Sequence, residues 1–252
     1  MEKSFDVVVI GGAFSGAATG LLLRRKLPDC RILIVEKSIQ FDRKVGESTT
    51  EVSSCFLTRV LGISTYLGHE HLAKQGLRMW FASSPDQPFE ECVEMGGRYN
   101  SRLSGFQVDR AKLDEHLLKL AVEAGCELWR PAKVTGFECG GTGHNTLQVS
   151  KEGEMHTVRA KWVVDASGRA AVLARKMNLL KPFEEHPVHS IWGRFTGVKD
   201  WDGYELRKKF PCYAKAAHTS RSWATNHLMG LGWWCWIIPL KGGDYSIGLV
   251  YD

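Results

Sequence analysis

A glycine-rich stretch near the N-terminus has the residue types and spacing of a phosphate-binding turn. Gly11, Ala13 and Gly16 occupy the three small-residue positions of the pattern G-x-G-x-x-G, with alanine in place of the middle glycine. Such a turn presents the free N–H groups of a helix N-terminus to a pyrophosphate, and a later acidic residue binds ribose hydroxyls. Glu36, which ends the next apolar run, is in the position of that acid. The pattern therefore predicts a dinucleotide site, and we expect the methyl group of Ala13 to be tolerated there.

The segments around this turn have the composition of the strand, helix and strand that would position it. Residues 5–10 (FDVVVI) are apolar and β-branched, as in a strand that is buried on both faces. Residues 17–25 contain good helix formers, and a second apolar run covers residues 31–35. The complete βαβ pattern is more specific than its glycines alone, so a loop that binds no ligand is the less favoured interpretation.

A second group of residues with chemical interest is the sequence GWWCWIIP, which spans residues 232–239. In a strand, successive side chains alternate between faces, and this alternation would place Trp234, Trp236 and Ile238 together. The side chains of the opposite face would be Trp233, Cys235 and Ile237. By spacing alone this pattern is typical of an aromatic-rich core strand, and a functional role for the indoles needs support from other motifs.

Two further segments resemble those of the flavoprotein monooxygenase superfamily. Residues 106–110 (FQVDR) precede an amphipathic helix pattern that Gly125 closes, and residues 163–169 (VVDASGR) follow a strand-like run. In that superfamily the arginine lies near the flavin, and the aspartate segment packs against the cofactor site. The resemblance implies that the dinucleotide is FAD rather than NAD.

Three more motifs are similar to those of the flavin-dependent halogenases within this superfamily. Residues 46–49 (GEST) match the G-E-[SA]-T loop, residues 74–81 (KQGLRMWF) resemble the segment with the essential lysine, and residues 234–239 fit the W-x-W-x-I-P signature. The resemblance covers the whole chain, and the last motif is the most specific. It implies an enzyme that uses FADH2, oxygen and halide to form hypohalous acid, which a lysine relays to an aromatic or other electron-rich substrate.

The resemblance also implies roles for individual residues. The candidate catalytic residues are Lys74, which would hydrogen-bond the hypohalous acid or carry it as a haloamine, and Trp234 and Trp236, whose indoles would keep the organic substrate from the flavin. The candidate FAD-binding residues are Gly11, Ala13, Gly16, Glu36, Lys37, Gly46, Glu47, Ser48, Arg110, Val134, Asp165 and Gly168. Two alternatives stay open: most lysines are solvated surface charges, and Glu47 would either orient backbone near the flavin or favour the N-terminus of the next helix.

Bulk properties disfavour several other classes of function. The chain of 252 residues is 44% hydrophobic, and its formal net charge of +5 is spread without a block of like charges, which disfavours nucleic-acid binding. No stretch approaches the roughly 20 apolar residues that a membrane span needs. The seven cysteines form no CxxC pair, and the histidine pairs lack partners for a metal site. We therefore expect reduced thiols, a cytoplasmic location and no bound metal.

The predicted fold class is α/β, with a Rossmann-like FAD-binding domain built on a three-layer, parallel sheet and interleaved with a partial β-sheet substrate domain. Residues 1–81 and 105–180 are assigned to the FAD-binding domain, and residues 82–104 and 181–252 to the substrate domain. Residues 139–143 (CGGTG) predict a hairpin turn. The later Gly-Asp segment with which this superfamily closes over FAD is not found, so we expect the substrate domain to be incomplete and the sequence to be a fragment.

The implied partners are a small-molecule or carrier-bound substrate and a separate flavin reductase that supplies FADH2. A flavin hydroxylase or a geranylgeranyl-reductase-like enzyme would share the FAD motifs, and a non-catalytic remnant would share the absence of the Gly-Asp segment. The paired tryptophans argue against a hydroxylase, because its flavin must be open to the substrate. The sequence does not distinguish chloride from bromide, or tryptophan from phenolic or carrier-bound substrates.

Overall fold

The computed structural model describes residues 2–84, 86–141 and 143–252. Its strands, in chain order, are β1 (Glu2–Ile10), β2 (Ile32–Val35), β3 (Leu72–Lys74), β4 (Leu77–Phe81), β5 (Val93–Gly96), β6 (Gly105–Gln107), β7 (Glu127–Trp129), β8 (Ala132–Glu138), β9 (Asn145–Lys151), β10 (Glu154–Asp165), β11 (His189–Phe195), β12 (Thr225–Gly230), β13 (Trp233–Pro239) and β14 (Tyr245–Tyr251). The α-helices are α1 (Phe14–Lys26), α2 (Glu51–Cys55), α3 (Ser64–Glu70), α4 (Arg110–Glu123), α5 (Val172–Lys176), α6 (Tyr204–Lys209) and α7 (Pro211–Ala216). Among the described residues, no helix has both the length and the apolar character that crossing a membrane requires.

The chain divides into two compact units, and each unit is built from two separate stretches of sequence. Unit 1 consists of Met1–Lys44 and Arg110–Pro182, and unit 2 consists of Val45–Asp109 and Phe183–Asp252. The first stretch of unit 2 is therefore inserted in the sequence between the two stretches of unit 1.

Unit 1 is an α/β unit whose six-stranded sheet has the order β7-β2-β1-β10-β9-β8. Strands β7, β2, β1 and β10 are parallel, as the buried apolar runs predicted, whereas β9 and β8 are antiparallel additions at one edge. The core includes Val8, Leu33 and Val158, which are fully buried. Helices α1 and α4 pack against each other beside this sheet, and they supply the helical layer of a Rossmann-like fold.

Unit 2 is built on a six-stranded sheet with the order β11-β14-β13-β12-β4-β5, accompanied by the two-stranded pair β3 and β6. All neighbours in the larger sheet are antiparallel except β12 and β4, which are parallel. On one face of β13, Trp236 and Ile238 are buried in a cluster that also includes Trp234. The alternation predicted for residues 234–238 is therefore observed in this strand.

The units divide the chain at different positions from the predicted domains. Residues 45–81 and 105–109 were assigned to the FAD-binding domain, but in the structure they belong to unit 2. The reason is strand pairing over long sequence distances, since β4 pairs with β12 at Leu77 and Thr225, and β3 pairs with β6 at Lys74 and Gly105. The second boundary differs by two residues, because unit 2 resumes at Phe183.

The predicted hairpin at residues 139–143 lies between two strands that pair as a hairpin requires. Strand β8 ends at Glu138, β9 begins at Asn145, and the two run antiparallel. The amide of Gly143 donates to the carbonyl oxygen of Gly140 at 2.9 Å. Thr142, which the predicted turn includes, lies outside the described residues.

Candidate active site

The glycine turn of unit 1 connects β1 to α1 in a conformation that only small residues allow. Gly11 has a φ of 99°, and a Cβ there would lie 2.5 Å from the carbonyl oxygen of Ala166. A Cβ on Gly16 would lie 1.8 Å from the carbonyl oxygen of Gly11, because the first turn of α1 crosses directly over β1. Ala13 is extended at the N-cap position and can keep its methyl group. The pattern of small residues thus reflects close backbone packing.

The N-terminus of α1 has the properties of an anion site. No side chain caps the helix, and its first turn contains no acidic residue. The first N–H groups of a helix lack intrahelical partners and carry the positive end of the helix dipole, so a diphosphate group fits this position. Phe14 opens the helix, and the guanidinium of Arg110 lies over its ring at 5.6 Å. The residues present therefore fit the pyrophosphate of FAD.

Glu36 is held against this turn at the end of β2. Its side chain is buried, and its two carboxylate oxygens accept hydrogen bonds from the amides of Gly12 at 2.7 Å and Ser38 at 2.8 Å. A carboxylate oxygen has more than one lone pair, so these bonds orient the group without using all its acceptor capacity. The neighbouring Lys37 is exposed. The predicted ribose-binding acid is therefore brought to the glycine turn, as its spacing predicted.

The segment from Asp165 to Gly168 also meets the glycine turn. The amide of Ala166 donates to the carbonyl oxygen of Ile10 at 2.9 Å, directly beside Gly11. The Asp165 carboxylate accepts from the amide of Leu173 at 2.8 Å and from the amide and hydroxyl of Ser167. Although partial burial opposes the effect, these bonds lower the pKa of Asp165. The Asp165 side chain thus orders the backbone of its own segment. A cofactor bound at the glycine turn would contact that backbone before the carboxylate.

Two other residues predicted to bind the cofactor have structural partners in unit 1. Arg110 forms a bidentate pair with the buried Asp114, with N–O distances of 3.0 and 3.2 Å, and Lys44 contacts the same carboxylate at 2.9 Å. The side chain of Val134 lies in the hydrophobic core of the sheet, so only its backbone is available to a ligand. The side chain of Val134 therefore packs in the core rather than at the glycine turn.

Unit 2 brings the predicted Gly46, Glu47 and Ser48 loop next to strand β12. Gly46 has a φ of 96°, which favours glycine, and Ser48 pairs with Gln107 as an isolated β-bridge. The hydroxyl groups of Ser48 and Thr225 are 2.7 Å apart. Thr225 begins β12, so this loop is tied to the first residue of the strand beside β13.

Glu47 is completely buried in this loop and pairs with an arginine that the sequence did not single out. The Arg194 Nε donates to Glu47 Oε1 at 2.9 Å, and both side chains are at most 4% exposed. Asp109 and Asp244 also approach the guanidinium, at 3.5 and 3.6 Å. Burial raises the pKa of Glu47 above its usual value of 4.5, although bonding from Ser246 and Arg194 opposes the shift. The sequence signal that could have indicated this pair is the arginine within β11, between Gly193 and Phe195.

Lys74 ends β3 and is buried, which rules out its interpretation as a solvated surface lysine. Only 5% of the residue is exposed, and its Nζ donates to the carbonyl oxygen of Thr49 at 2.8 Å. Burial lowers the pKa of the ammonium group, while Glu51 acts in the opposite direction. Gly105 makes room for this arrangement, since a Cβ there would lie 2.7 Å from Thr49 O and 3.3 Å from Lys74 Cδ. The lysine and the Gly46 to Thr49 loop therefore form one cluster.

The paired tryptophans lie on one face of the same sheet. The ring centroids of Trp234 and Trp236 are 5.8 Å apart, and the Trp236 Nε1 donates to the Ser246 hydroxyl at 3.2 Å. Gly248 lies opposite Trp236 on β14, and a Cβ there would be 2.2 Å from the indole. The indole of Trp236 is thus held by its hydrogen bond to Ser246 and fits into the space over Gly248, which has no side chain.

The opposite face of the sheet carries a separate cavity of about 1100 Å³. Its walls include Phe89, Trp201, Tyr213, Leu228 and Ile237. The last two alternate along their strands with residues of the other face, so the sheet separates this cavity from Trp236. The predicted catalytic residues of unit 2 do not line it.

Gly16→Ala is expected to weaken FAD binding more than about tenfold, because the new methyl group would collide with the backbone of Gly11 and displace the turn. Titration of FAD into the purified protein, followed by flavin fluorescence, measures the change. Gly68→Ala is the matched control, since Gly68 is also helical and a Cβ added there would meet no atom within 4 Å. Equal affinity of the Gly16→Ala variant and the parent would contradict the assignment of the turn.

The chain matches a known protein family over most of its length. Residues 4–220 match the FAD binding domain family, and the chain belongs to that family. FAD is the cofactor of this family, as the glycine turn and the resemblance together predicted.

The curated relatives are halogenases, which confirms the resemblance that the motifs indicated. Flavin-dependent halogenase chlA of Dictyostelium discoideum is 29% identical over 98% of this chain and 45% of the relative. The monodechloroaminopyrrolnitrin halogenase PrnC of Pseudomonas fluorescens is 26% identical, over 100% of this chain and 46% of the relative. The chain thus spans about half the length of the curated relatives it matches. These relatives do not favour the hydroxylase or reductase alternative.

Solved structures agree on the fold. Halogenase PltM in complex with phloroglucinol and FAD has a TM-score of 0.80 at 19% identity, over 98% of this chain and 52% of that one. The flavin-dependent brominase Bmp2 has a TM-score of 0.75 at 24% identity, over 99% of this chain and 56% of that one. The predicted α/β fold class is confirmed.

Proposed function

We propose that this protein is an FAD-dependent halogenase that uses FADH2, oxygen and halide to form hypohalous acid, which Lys74 relays to an aromatic or other electron-rich substrate. The observation that carries the proposal is the burial of Lys74 beside the Gly46 to Thr49 loop, in the unit that also presents Trp234 and Trp236. The names of the curated relatives support it.

Unit 1 supplies the groups that would hold the cofactor. The amides at the start of α1 would bind the pyrophosphate, and the Glu36 carboxylate would accept from the ribose hydroxyls. Arg110 and the backbone of residues 165–168 adjoin this turn and would contact other parts of the cofactor. When bound, reduced FAD would supply the electrons that activate oxygen, and the activated oxygen would oxidise halide to hypohalous acid.

Lys74 has the environment that halogen transfer by an amine requires. A protonated amine donates a hydrogen bond that polarises hypohalous acid, and a neutral amine accepts the halogen as a haloamine. Burial favours the neutral form, because a desolvated charge is costly. The hydrogen bond to Thr49 holds the Nζ in place in either case.

Trp234 and Trp236 would limit what reaches the oxidant. Their rings cover one face of β13 and leave little room between them for an organic molecule. Halide and hypohalous acid are far smaller than an aromatic substrate. Closely packed indoles would therefore let the halide and the hypohalous acid through and would exclude the substrate. The reaction of the oxidant would then be halogen transfer rather than direct hydroxylation.

The substrate class and partners are part of this proposal. The complex of PltM with phloroglucinol makes a phenol a natural first substrate, and the Pseudomonas fluorescens relative that chlorinates 1H-pyrrole-2-carbonyl-[peptidyl-carrier protein] makes a carrier-bound substrate the second. Because the proposed chemistry consumes FADH2, we expect a separate flavin reductase to supply it.

The proposal is tested by incubating the purified protein with reduced FAD, oxygen and bromide, in the presence of a panel of phenols and indoles. Brominated product, identified by mass spectrometry, is the expected result. Hydroxylated product without brominated product would overturn the proposal and support a hydroxylase. A protein that remains colourless after incubation with FAD would instead support a non-catalytic remnant.

A further inference from the structure

The loop that ends at Thr49 pairs with β6 as a short antiparallel segment. Ser48 lies opposite Gln107 as an isolated antiparallel bridge, and the next pair in this register is formed by Thr49. Its partner is Phe106, whose carbonyl oxygen accepts from the amide of Thr49 at 2.9 Å. Two residues that pair in this way normally exchange both backbone bonds, and the amide of Phe106 would then donate to the carbonyl oxygen of Thr49.

The amide of Phe106 bonds instead to the side chain of Thr49. It donates to the Thr49 hydroxyl at 2.7 Å, and the same hydroxyl donates to the carbonyl oxygen of Phe106 at 2.9 Å. The side chain of Thr49 therefore takes the place of its own carbonyl group in the pairing with β6. That carbonyl oxygen accepts from Lys74 Nζ at 2.8 Å. The hydroxyl of Thr49 and the acceptor of the lysine are thus two parts of one arrangement.

Gly105 opens the path by which the lysine reaches this oxygen. Lys74 on β3 lies directly opposite Gly105 on β6, whereas the loop that contains Thr49 pairs with the other edge of β6. The lysine side chain thus crosses β6 over a residue that has no side chain. A Cβ at position 105 would lie 3.3 Å from Lys74 Cδ and 2.7 Å from the carbonyl oxygen of Thr49, so glycine keeps this approach open.

The direction of this hydrogen bond matters for the chemistry proposed for Lys74. An ammonium group has three donors, and the bond to Thr49 uses one of them and leaves two for hypohalous acid. In a neutral amine the same bond restricts the direction of the lone pair that would take the halogen. A lysine amine ends a flexible four-carbon chain, so a fixed acceptor keeps its reactive group in one orientation.

We propose that Thr49 is a positioning residue for Lys74: its hydroxyl replaces its own carbonyl group in the pairing with β6 and so leaves that carbonyl oxygen to the lysine amine. The inference rests on the proposed function and adds to it the residue that sets the direction of the amine. Without the hydroxyl, the amide of Phe106 loses its acceptor, and an ordinary antiparallel ladder would supply the carbonyl oxygen of Thr49 in its place. The amide and the lysine would then compete for one oxygen.

The first test measures the link between the two residues without any turnover. Thr49→Val removes the hydroxyl with little change of shape. A hydrogen bond from an ammonium group to a carbonyl oxygen stabilises the charged form, so this variant should lower the pKa of Lys74 by about 0.5 or more, and Thr49→Ser should keep the parental value. Titration of the 15Nζ NMR signal, assigned by its loss in Lys74→Met, gives these values. An unchanged pKa of Lys74 in Thr49→Val would overturn the proposal.

Thr50→Val is the matched control for this measurement. The hydroxyl of Thr50 accepts from an amide of α2 at 3.4 Å, so its loss should weaken the helix cap and leave the pKa of Lys74 at the parental value. The titratable groups that interact with the amine, Glu51 and His227, are kept in every variant. An equal fall of the pKa in Thr50→Val and Thr49→Val would indicate general destabilisation and would overturn the proposal.

The second test measures turnover with bromide and a phenol. Thr49→Val should lower kcat by about tenfold or more while the KM for the phenol stays near that of the parent, because the direction of the amine changes and the binding of the phenol does not. Thr49→Ser should retain most of the parental kcat. Parental kcat in Thr49→Val would overturn the role of Thr49 and leave the halogenase function standing. Absence of brominated product from the parent would overturn the halogenase function, and the catalytic importance of Thr49 with it.

Discussion

Lys74→Ala is expected to reduce halogenation by at least about 100-fold while the affinity for FAD stays near that of the parent. The amine is the group that would transfer the halogen, whereas the turn around Gly11, the carboxylate of Glu36 and Arg110 belong to unit 1. Product formation from bromide and a phenol, measured alongside FAD titration, checks both parts of the expectation.

A second substitution at the same position separates the two roles proposed for this lysine. Lys74→Arg keeps hydrogen-bond donors but stays protonated, so it cannot form a haloamine. Activity of this variant would favour the hydrogen-bonding role, and its inactivity would favour the haloamine. Lys241→Ala is the control, because Lys241 is exposed and hydrogen-bonds to the carbonyl oxygen of His69. An active Lys74→Ala variant would remove Lys74 from the mechanism.

Arg194→Met should be the most destabilising of the substitutions considered for unit 2. It leaves the carboxylate of Glu47 buried without its cation, and breaking a buried ion pair in this way typically costs about 3–5 kcal/mol. Urea unfolding at pH 7 measures the loss of free energy of unfolding. Lys3→Met is the control, since the Lys3–Glu127 pair is largely exposed and should contribute less than about 1 kcal/mol.

The effect of pH on the Arg194→Met variant has a definite sign. Burial raises the pKa of Glu47 above 4.5 in the folded parent, and loss of Arg194, which opposes this shift, raises it further, so the folded variant binds this proton more tightly than the unfolded chain does. The contribution to stability is complete below pH 4.5 and is lost as the pH rises through the folded pKa. The loss of stability should therefore be smaller at pH 5 than at pH 7, and Glu47→Gln in the same background should reduce this dependence.

The features that could be predicted from the sequence are those set by neighbouring residues. The turn around Gly11 and Gly16 depends on a backbone crossing within six residues, and the alternation of Trp234 and Trp236 follows from the geometry of a strand. Both are local, so residue type and spacing determine them. The identity of the cofactor required the further resemblance to a family, because many dinucleotides fit one such turn.

The features that could not be predicted depend on contacts between distant segments. Whether Lys74 is solvated or buried is decided by β6 and by the loop that contains Thr49, which the sequence near Lys74 does not reveal. The pairing of Glu47 with Arg194 joins residues separated by 147 positions. The compact units differ from the predicted domains for the same reason, since the pairing of β4 with β12 decides which unit contains residues 45–81.

The space that Gly248 leaves for the indole of Trp236 has a consequence for the redesign of this protein. A larger residue at position 248 would strike the ring, and a smaller residue at position 236 would leave a groove across two strands. A substitution at one of these positions changes which residues fit at the other, so a mutant library should vary both positions together. Pairs such as Trp236→Phe with Gly248→Ala keep the combined volume nearly constant, and they offer a way to change the shape of this face of β13 without leaving a cavity.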